Sequence, residues 1–156
     1  MTETVSYASL EKRPLSAWDV IAHLCAIGVA GFFLYAAYHK IGVGGVRQFA
    51  LEIKNYQMAF LDERYLNIPA IILPWIEVMA ALALIVPASR KGGAVVIGGL
   101  LVIFIIAVFD AAIVRGLDIG CGCTGKSSGK AGWTTIGRNA GLLAATVASV
   151  YLPRLG

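Results

Sequence analysis

Two cysteines separated by a single glycine, Cys121 and Cys123, are the residues of this sequence best suited to chemistry. They lie in the segment Arg115-Gly-Leu-Asp-Ile-Gly-Cys-Gly-Cys-Thr-Gly, with glycine at 120, 122 and 125. Disulfides favour Cα separations of about 5.5 Å and a dihedral of about 90°. A bridge across one intervening residue closes a small ring under strain, and strained, exposed disulfides are the exchanging kind. The glycines keep the backbone free and the segment open to another protein. A nearby cation, Arg115 or Lys126, would favour the thiolate, which is the attacking species. Three readings stand side by side: thiol–disulfide exchange, a metal site shared with a second protein, and a structural pair in a glycine-rich loop. Two thiols with no neighbouring histidine do not complete a tetrahedral zinc site, so no metal is expected within the chain. The third cysteine, Cys25, sits in a long apolar run and reads as a small packing residue.

A second set of candidates is ionisable and sits in apolar surroundings. Glu77 falls about ten residues into an apolar stretch, roughly 15 Å deep at about 1.5 Å per residue. A bare carboxylate there costs about 3 kcal/mol on insertion scales, so it must be protonated, paired or hydrated. His39, Lys40 and Arg138 are the partners within reach. Asp110, one turn from the same surface, has Arg138 or Lys40 as expected partners. One reading makes these residues ion pairs that fix helix register; the other makes them a proton path or polar pocket beside a redox centre.

The elements that hold these residues are set by composition. Apolar residues make up 58% of the 156 and charged ones 14%, a balance that places the chain in a bilayer and excludes a disordered chain. The 13 basic and 9 acidic residues leave a net charge of +4, but the basic ones are scattered, so no nucleic-acid partner is expected. A spanning helix needs about 20 apolar residues. Four stretches qualify, at about 18–38, 67–89, 92–114 and 132–152. The stretch at about 43–65 carries six charges, Arg47, Glu52, Lys54, Asp62, Glu63 and Arg64. Phe49, Ile53, Tyr56 and Phe60 nevertheless share one helical face. It reads as an amphipathic helix in the interface. The expected fold is therefore all-α: a single polytopic membrane domain over 1–156, a four-transmembrane-helix bundle with an interfacial helix between its first and second spans. Residues 115–131 form the redox-type loop. Small residues at Ala22, Ala26 and Ala30, at Ala94 and Gly98, and at Gly137, Gly141, Ala145 and Ser149 offer helix-packing stripes, inside the bundle or towards a partner.

Lys12, Arg13, Arg90 and Lys91 lie in very short segments on the side of the termini, although the other side carries more basic residues in total. Short basic segments stay cytoplasmic most reliably. Both termini are therefore expected in the cytoplasm and the Cys121–Cys123 loop in the periplasm. Trp75, Trp133 and Tyr56 are candidates to line a pocket for an electron acceptor, and equally natural as interfacial aromatics.

Taken in order, these motifs resemble those of the MauE/DoxX family of bacterial redox-associated membrane proteins, on the MauE side. The matching residues are His39-Lys40-Ile41, Phe49 to Asn55-Tyr56, and Leu73-Pro74-Trp75-Ile76-Glu77. After them come Arg115 to Gly125 with its cysteine pair, Gly132-Trp133, and Arg138-Asn139. Thr124 departs from the aromatic residue that often follows the second cysteine. The resemblance implies a four-helix protein of the bacterial inner membrane with no bound cofactor of its own. It also implies a role in disulfide maturation of an extracytoplasmic protein, and, through DoxX-type relatives, a quinone as electron acceptor. Carried over, Cys121 and Cys123 are the redox pair, and Glu77, Asp110 and Arg138 the supporting polar residues. A non-catalytic subunit of a larger electron-transfer, photosynthetic or oxygenase complex is the alternative. Membrane or periplasmic proteins are the expected partners on either reading.

Overall fold

The computed structural model describes residues 16–43, 45–55, 67–116 and 132–154. Cys121 and Cys123, Lys126, and the second half of the amphipathic segment with Tyr56 and Phe60 lie outside them. Helix α1 runs Ala17–Tyr38 and ends in a π-helical turn, His39–Val43. Helix α2 is Gly45–Asn55, α3 is Asn67–Ile85, and α4 is Arg90–Val108, followed by a second π-helical turn, Phe109–Val114. Helix α5 is Trp133–Tyr151 and closes in a short 3₁₀ turn. Among the described residues there is no strand.

Local chemistry explains the ends of these helices. The Ser16 hydroxyl accepts the Trp18 N–H at 3.4 Å and the Asp19 carboxylate accepts the Ser16 N–H at 3.1 Å, so two free donors of the first turn are met at once. Between α3 and α4 only Val86–Ser89 intervene, which forces the helices antiparallel. Ser89 Oγ donates to the Ala83 carbonyl at 2.9 Å and Arg90 Nε to that of Leu84 at 3.3 Å, satisfying the last carbonyls of α3. Gly45, with φ +71°, lets α2 leave the π-turn at an angle that a side chain would resist.

The helices form an up-and-down bundle. α1 packs on α3 and α5, and α4 packs on the same two, so α1 faces α4 across the core and α3 faces α5. α1 and α4 finish, and α3 and α5 start, at one end, here the loop end. The side chains obey membrane rules. The centre is tight, with Ala26, Val29, Ala30, Phe33, Ala80, Ala81, Leu84, Ile97 and Leu101 forming one buried cluster. The outside is aliphatic, with Leu24, Ile27, Ile71, Met79, Val95, Ile103 and Ile106 all exposed. Lipid contact needs no polar shell, and helix contact needs small residues. Ala22, Ala26 and Ala30 are fully buried, so that stripe serves internal packing. Gly93 makes the closest approach: a Cβ there would stand 2.6 Å from the Leu84 nitrogen and 2.8 Å from the Ala80 oxygen.

Three helices, Ala17–Gly42, Asn67–Ile85 and Arg90–Val114, are long and apolar enough to cross a bilayer. At the fourth expected span, 132–152, the structure has a helix, α5, which is not among the three long and apolar enough to cross; Thr134, Thr135, Arg138 and Asn139 crowd its first half. The stripe at Gly137, Gly141, Ala145 and Ser149 is divided. Ser149 is buried and Ala145 packs on the core, whereas Gly137 and Gly141 face outwards with nothing within 4 Å of where a Cβ would be. Cys25 is half-buried and free rather than enclosed. The amphipathic helix docks on α3, through Phe49, Ala50 and Ile53 against Ala70 and Leu73.

Candidate functional site: a buried ion pair at the loop end

The π-turn after α1 brings Lys40 round to the bundle interior. Its Nζ donates to Glu77 Oε1 at 2.5 Å, and the two side chains are 4% and 1% exposed. Of the three partners expected for Glu77, the structure selects Lys40. The ammonium also lies 4.7 Å from the centre of the Phe49 ring on α2 and 5.3 Å from that of Phe104 on α4. Aromatic faces are partly negative and hold a cation where water is scarce. One lysine therefore ties together α1, α2, α3 and α4. The other carboxylate oxygen, Glu77 Oε2, is buried and has no hydrogen-bond partner among the described residues.

His39, the neighbouring residue, takes a different role from the expected pairing. Its ring stacks edge-on against Tyr35 at 4.5 Å and Tyr38 at 5.8 Å, and its buried Nδ1 has no hydrogen-bond partner among the described residues. Arg138 stands 5.3 Å from the centre of the Phe32 ring, so α5 is tied to α1 by a third cation–π contact.

Asp110 requires a correction. It pairs with Arg115, not with Arg138 or Lys40. The cause is the second π-turn. The Arg115 N–H donates to the Asp110 carbonyl at 3.0 Å, a bond that skips one residue more than an α-helix does, and it sets the two side chains on one face. Gly116, with φ +62°, follows at once and turns the chain out of the helix. The pair is partly exposed, at 33% and 51%.

Residues beyond the sequence candidates complete the site. Asn139 is 2% exposed and its Nδ2 has no hydrogen-bond partner among the described residues. With Thr135, Thr146 and Ser149 it forms a polar inner face on α5. The recurrence of these residues on one helical face was readable, though masked by the apolar residues between them. The Thr146 and Ser149 hydroxyls are already met, donating to the carbonyls of Leu142 at 2.8 Å and Thr146 at 2.7 Å. Phe104 has no signal in sequence, since it is one aromatic in an unbroken apolar run. Trp75 and Trp133 are 60% and 70% exposed on the outer surface of the bundle. Among the described residues no cluster of His, Cys, Asp and Glu could hold a metal ion.

Residues 18–152 match the family model described as methylamine utilisation protein MauE. The methylamine utilization protein MauE of Methylorubrum extorquens is 37% identical over 86 residues, which are 53% of this chain and 45% of that protein. No solved structure matches the chain.

Proposed function

The chain belongs to the MauE family, and from that premise we propose that it is an inner-membrane protein of methylamine utilisation that serves thiol–disulfide exchange in an extracytoplasmic partner. Cys121 and Cys123 are the exchanging pair. In the oxidising direction their disulfide accepts two electrons from a partner's dithiol. One partner thiolate attacks a sulfur of the pair, the mixed disulfide resolves by the second thiolate, and the two protons pass to Cys121 and Cys123. Reoxidation sends two electrons and two protons to a lipid-soluble quinone, giving quinol. Both termini lie in the cytoplasm, the loop lies in the periplasm, and α5 completes a fourth crossing.

The observation that carries this reading is the cysteine segment itself. It falls inside the matched residues 18–152, directly after the Asp110–Arg115 pair that ends α4. Two thiols across one glycine suit exchange better than permanent bridging.

Thiol trapping in intact cells tests it. A membrane-impermeant maleimide is added before and after reduction, and mass shifts are read on single-cysteine variants. Labelling of both positions only after reduction is expected. Free thiols that react only after lysis would overturn both the orientation and the role. Cys121→Ser and Cys123→Ser should each abolish maturation of the partner while the protein still accumulates.

A second reading, an accessory subunit of a larger membrane electron-transfer, photosynthetic or oxygenase complex, is favoured by the outer face of α5. Gly137, Ala140, Gly141 and Ala144 are exposed there, where α1, α3 and α4 present large aliphatic residues. Migration as a lone species after gentle detergent extraction would count against it.

A further inference from the structure

We propose that Glu77 is a proton-binding site open to one side of the membrane only. Protons reach it through a hydrated, polar half of the bundle at the loop end, and an apolar plug closes it from the opposite end. The inference stands on the bundle interior and does not depend on the exchange reading.

The first observation is unmet hydrogen-bonding capacity. Glu77 Oε2 is a buried acceptor, Asn139 Nδ2 a buried donor and His39 Nδ1 a third buried polar atom, and none has a protein partner among the described residues. Leaving such a buried group without a partner is costly. Buried water meets such groups where the site is polar and offers several partners. Glu77 and Asn139 lie on α3 and α5, the helices that face each other across the core, and both are almost fully buried. A donor and an acceptor of this kind, both turned inwards, are the lining a hydrated path requires.

The second observation is the sidedness of the core. Arg90 is buried at the far end of α4, with its Nη2 unmet among the described residues, but between it and the polar set the central core residues are apolar. They are Phe33, Ala30, Val29 and Ala26 on α1, and Ala80, Ala81 and Leu84 on α3. On α4 they are Leu101 and Ile97, with Leu142 and Leu143 of α5 packed against the same cluster. Thr146 and Ser149 lie deeper on α5, but their hydroxyls are met by backbone carbonyls of their own helix and call for no water. Close-packed aliphatic side chains leave no room for water and give it no partner. A proton that arrives at Glu77 from the loop end must leave the same way.

The charges around Glu77 fit this role. Lys40 faces it from α1 and holds Oε1, leaving Oε2 as the oxygen that takes the proton. His39 stands beside Lys40 on the same π-turn. The buried contact residues of α2 are Phe49, Ala50 and Ile53, with no charge among them, while of its charged residues Arg47 and Lys54 are exposed and Glu52 is half-buried. From α4 the contact is Phe104, and the one buried charge of that helix, Arg90, lies at the opposite end. Arg138 of α5 is turned to the Phe32 ring of α1.

The test uses the full chain in proteoliposomes, with orientation read from a C-terminal tag. A hydrophobic carbodiimide, which reacts with protonated carboxyls in apolar surroundings, is added while the pH of each compartment is varied separately. Modification of Glu77 is read by mass spectrometry. We expect it to rise several-fold as the loop-side medium is acidified and to ignore the other side. Response to the opposite side, equal response to both, or no modification at any pH would overturn the proposal. A second arm replaces the native cysteines by serine and introduces Asn139→Cys or Leu101→Cys singly. A charged methanethiosulfonate added from the loop side should react with the first and not with the second. Reaction of Leu101→Cys would remove the plug, and an inert Asn139→Cys in a folded protein would remove the path.

Discussion

Between Arg90 at the opposite end and about the level of Phe33 the centre of the bundle is an aliphatic cluster, with Thr146 and Ser149 of α5 beside it, whereas from there to the loop end the interior carries Lys40, Glu77, Thr135 and Asn139. The two halves hold the helices together by different means. In the aliphatic half, α3 and α4 approach through Gly93 until backbone nearly meets backbone, and small residues on α1 let Leu84, Ile97 and Leu101 fill the centre. In the polar half a single ammonium joins four helices, through one carboxylate and two aromatic rings. Dispersion packing tolerates swaps that conserve its volume. A buried charge pair tolerates the loss of neither partner. The difference predicts where the molecule is fragile and where function can reside without weakening the whole.

The largest effect should follow from breaking the pair unequally. Lys40→Met leaves Glu77 as an uncompensated buried charge and should cost about 3–5 kcal/mol. Removing both charges, with Lys40→Met and Glu77→Leu together, replaces the pair by apolar volume and should recover most of that loss. Thermal unfolding in detergent of the wild type, the single variant and the double variant checks it. A double variant as unstable as the single one would show that the pair is not an isolated unit. If the double variant is stable and Glu77 serves as a proton site, stability and proton binding separate cleanly.

Next in size is the aliphatic half. Gly93→Ala places a methyl against the α3 backbone, where no side chain can swing aside. Overpacking of this kind costs about 1–3 kcal/mol, and the rigid neighbours put Gly93 towards the upper end. Unfolding in detergent reads the loss directly. A neutral Gly93→Ala would mean that α3 and α4 can part without penalty, and that the polar half alone holds the bundle.

These two regions were not equally legible in the sequence. The helices were, because a bilayer demands about 20 apolar residues per crossing and the chain supplies them in separate runs. That Glu77 needed a partner was legible from its depth. That the partner is Lys40, rather than His39 or Arg138, was not, because it depends on the π-turn that rotates Lys40 inwards. The same physics hid the Asp110–Arg115 pair. Their spacing of five suits neither helical neighbour rule, and only the wider turn brings them together. The four-residue repeat on α5 announced a packing face without saying which way it pointed, and half of it points out. The low hydropathy of α5 comes from Arg138 and, in good part, from the inner face, where Thr135, Asn139, Thr146 and Ser149 are buried. A hydropathy average cannot distinguish a polar residue facing the core from one facing lipid.

A smaller effect is expected at the mouth of the polar half. Asp110 and Arg115 are partly exposed, and exposed pairs contribute about 0–1 kcal/mol. Asp110→Asn should therefore leave the unfolding temperature almost unchanged. If the pair sets the direction in which the chain leaves α4, the same variant should still slow maleimide trapping or exchange at Cys121 and Cys123. A large loss of stability would instead place Asp110 among the residues that hold the bundle, on a par with Glu77.

The smallest effect on stability should be at Gly137 and Gly141, and here a null result on one measurement gives meaning to the other. Nothing stands within 4 Å of a Cβ at either position, so Gly137→Ala meets no atom of this chain. Alanine is the better helix former by about 1 kcal/mol, and the isolated protein should be unchanged or slightly more stable. Towards lipid the substitution is harmless, since a methyl is at home there. Towards a partner helix it is not, because close helix approach in membranes relies on the missing side chain. Gly137→Leu sharpens the contrast by filling the face completely. Normal unfolding of the isolated chain together with lost co-migration of a larger complex after gentle extraction would assign the outer face of α5 to a partner. Normal unfolding with unchanged migration would return that face to the lipid, and the small residues there would then reflect only the tolerance of α5 for a sparse exterior.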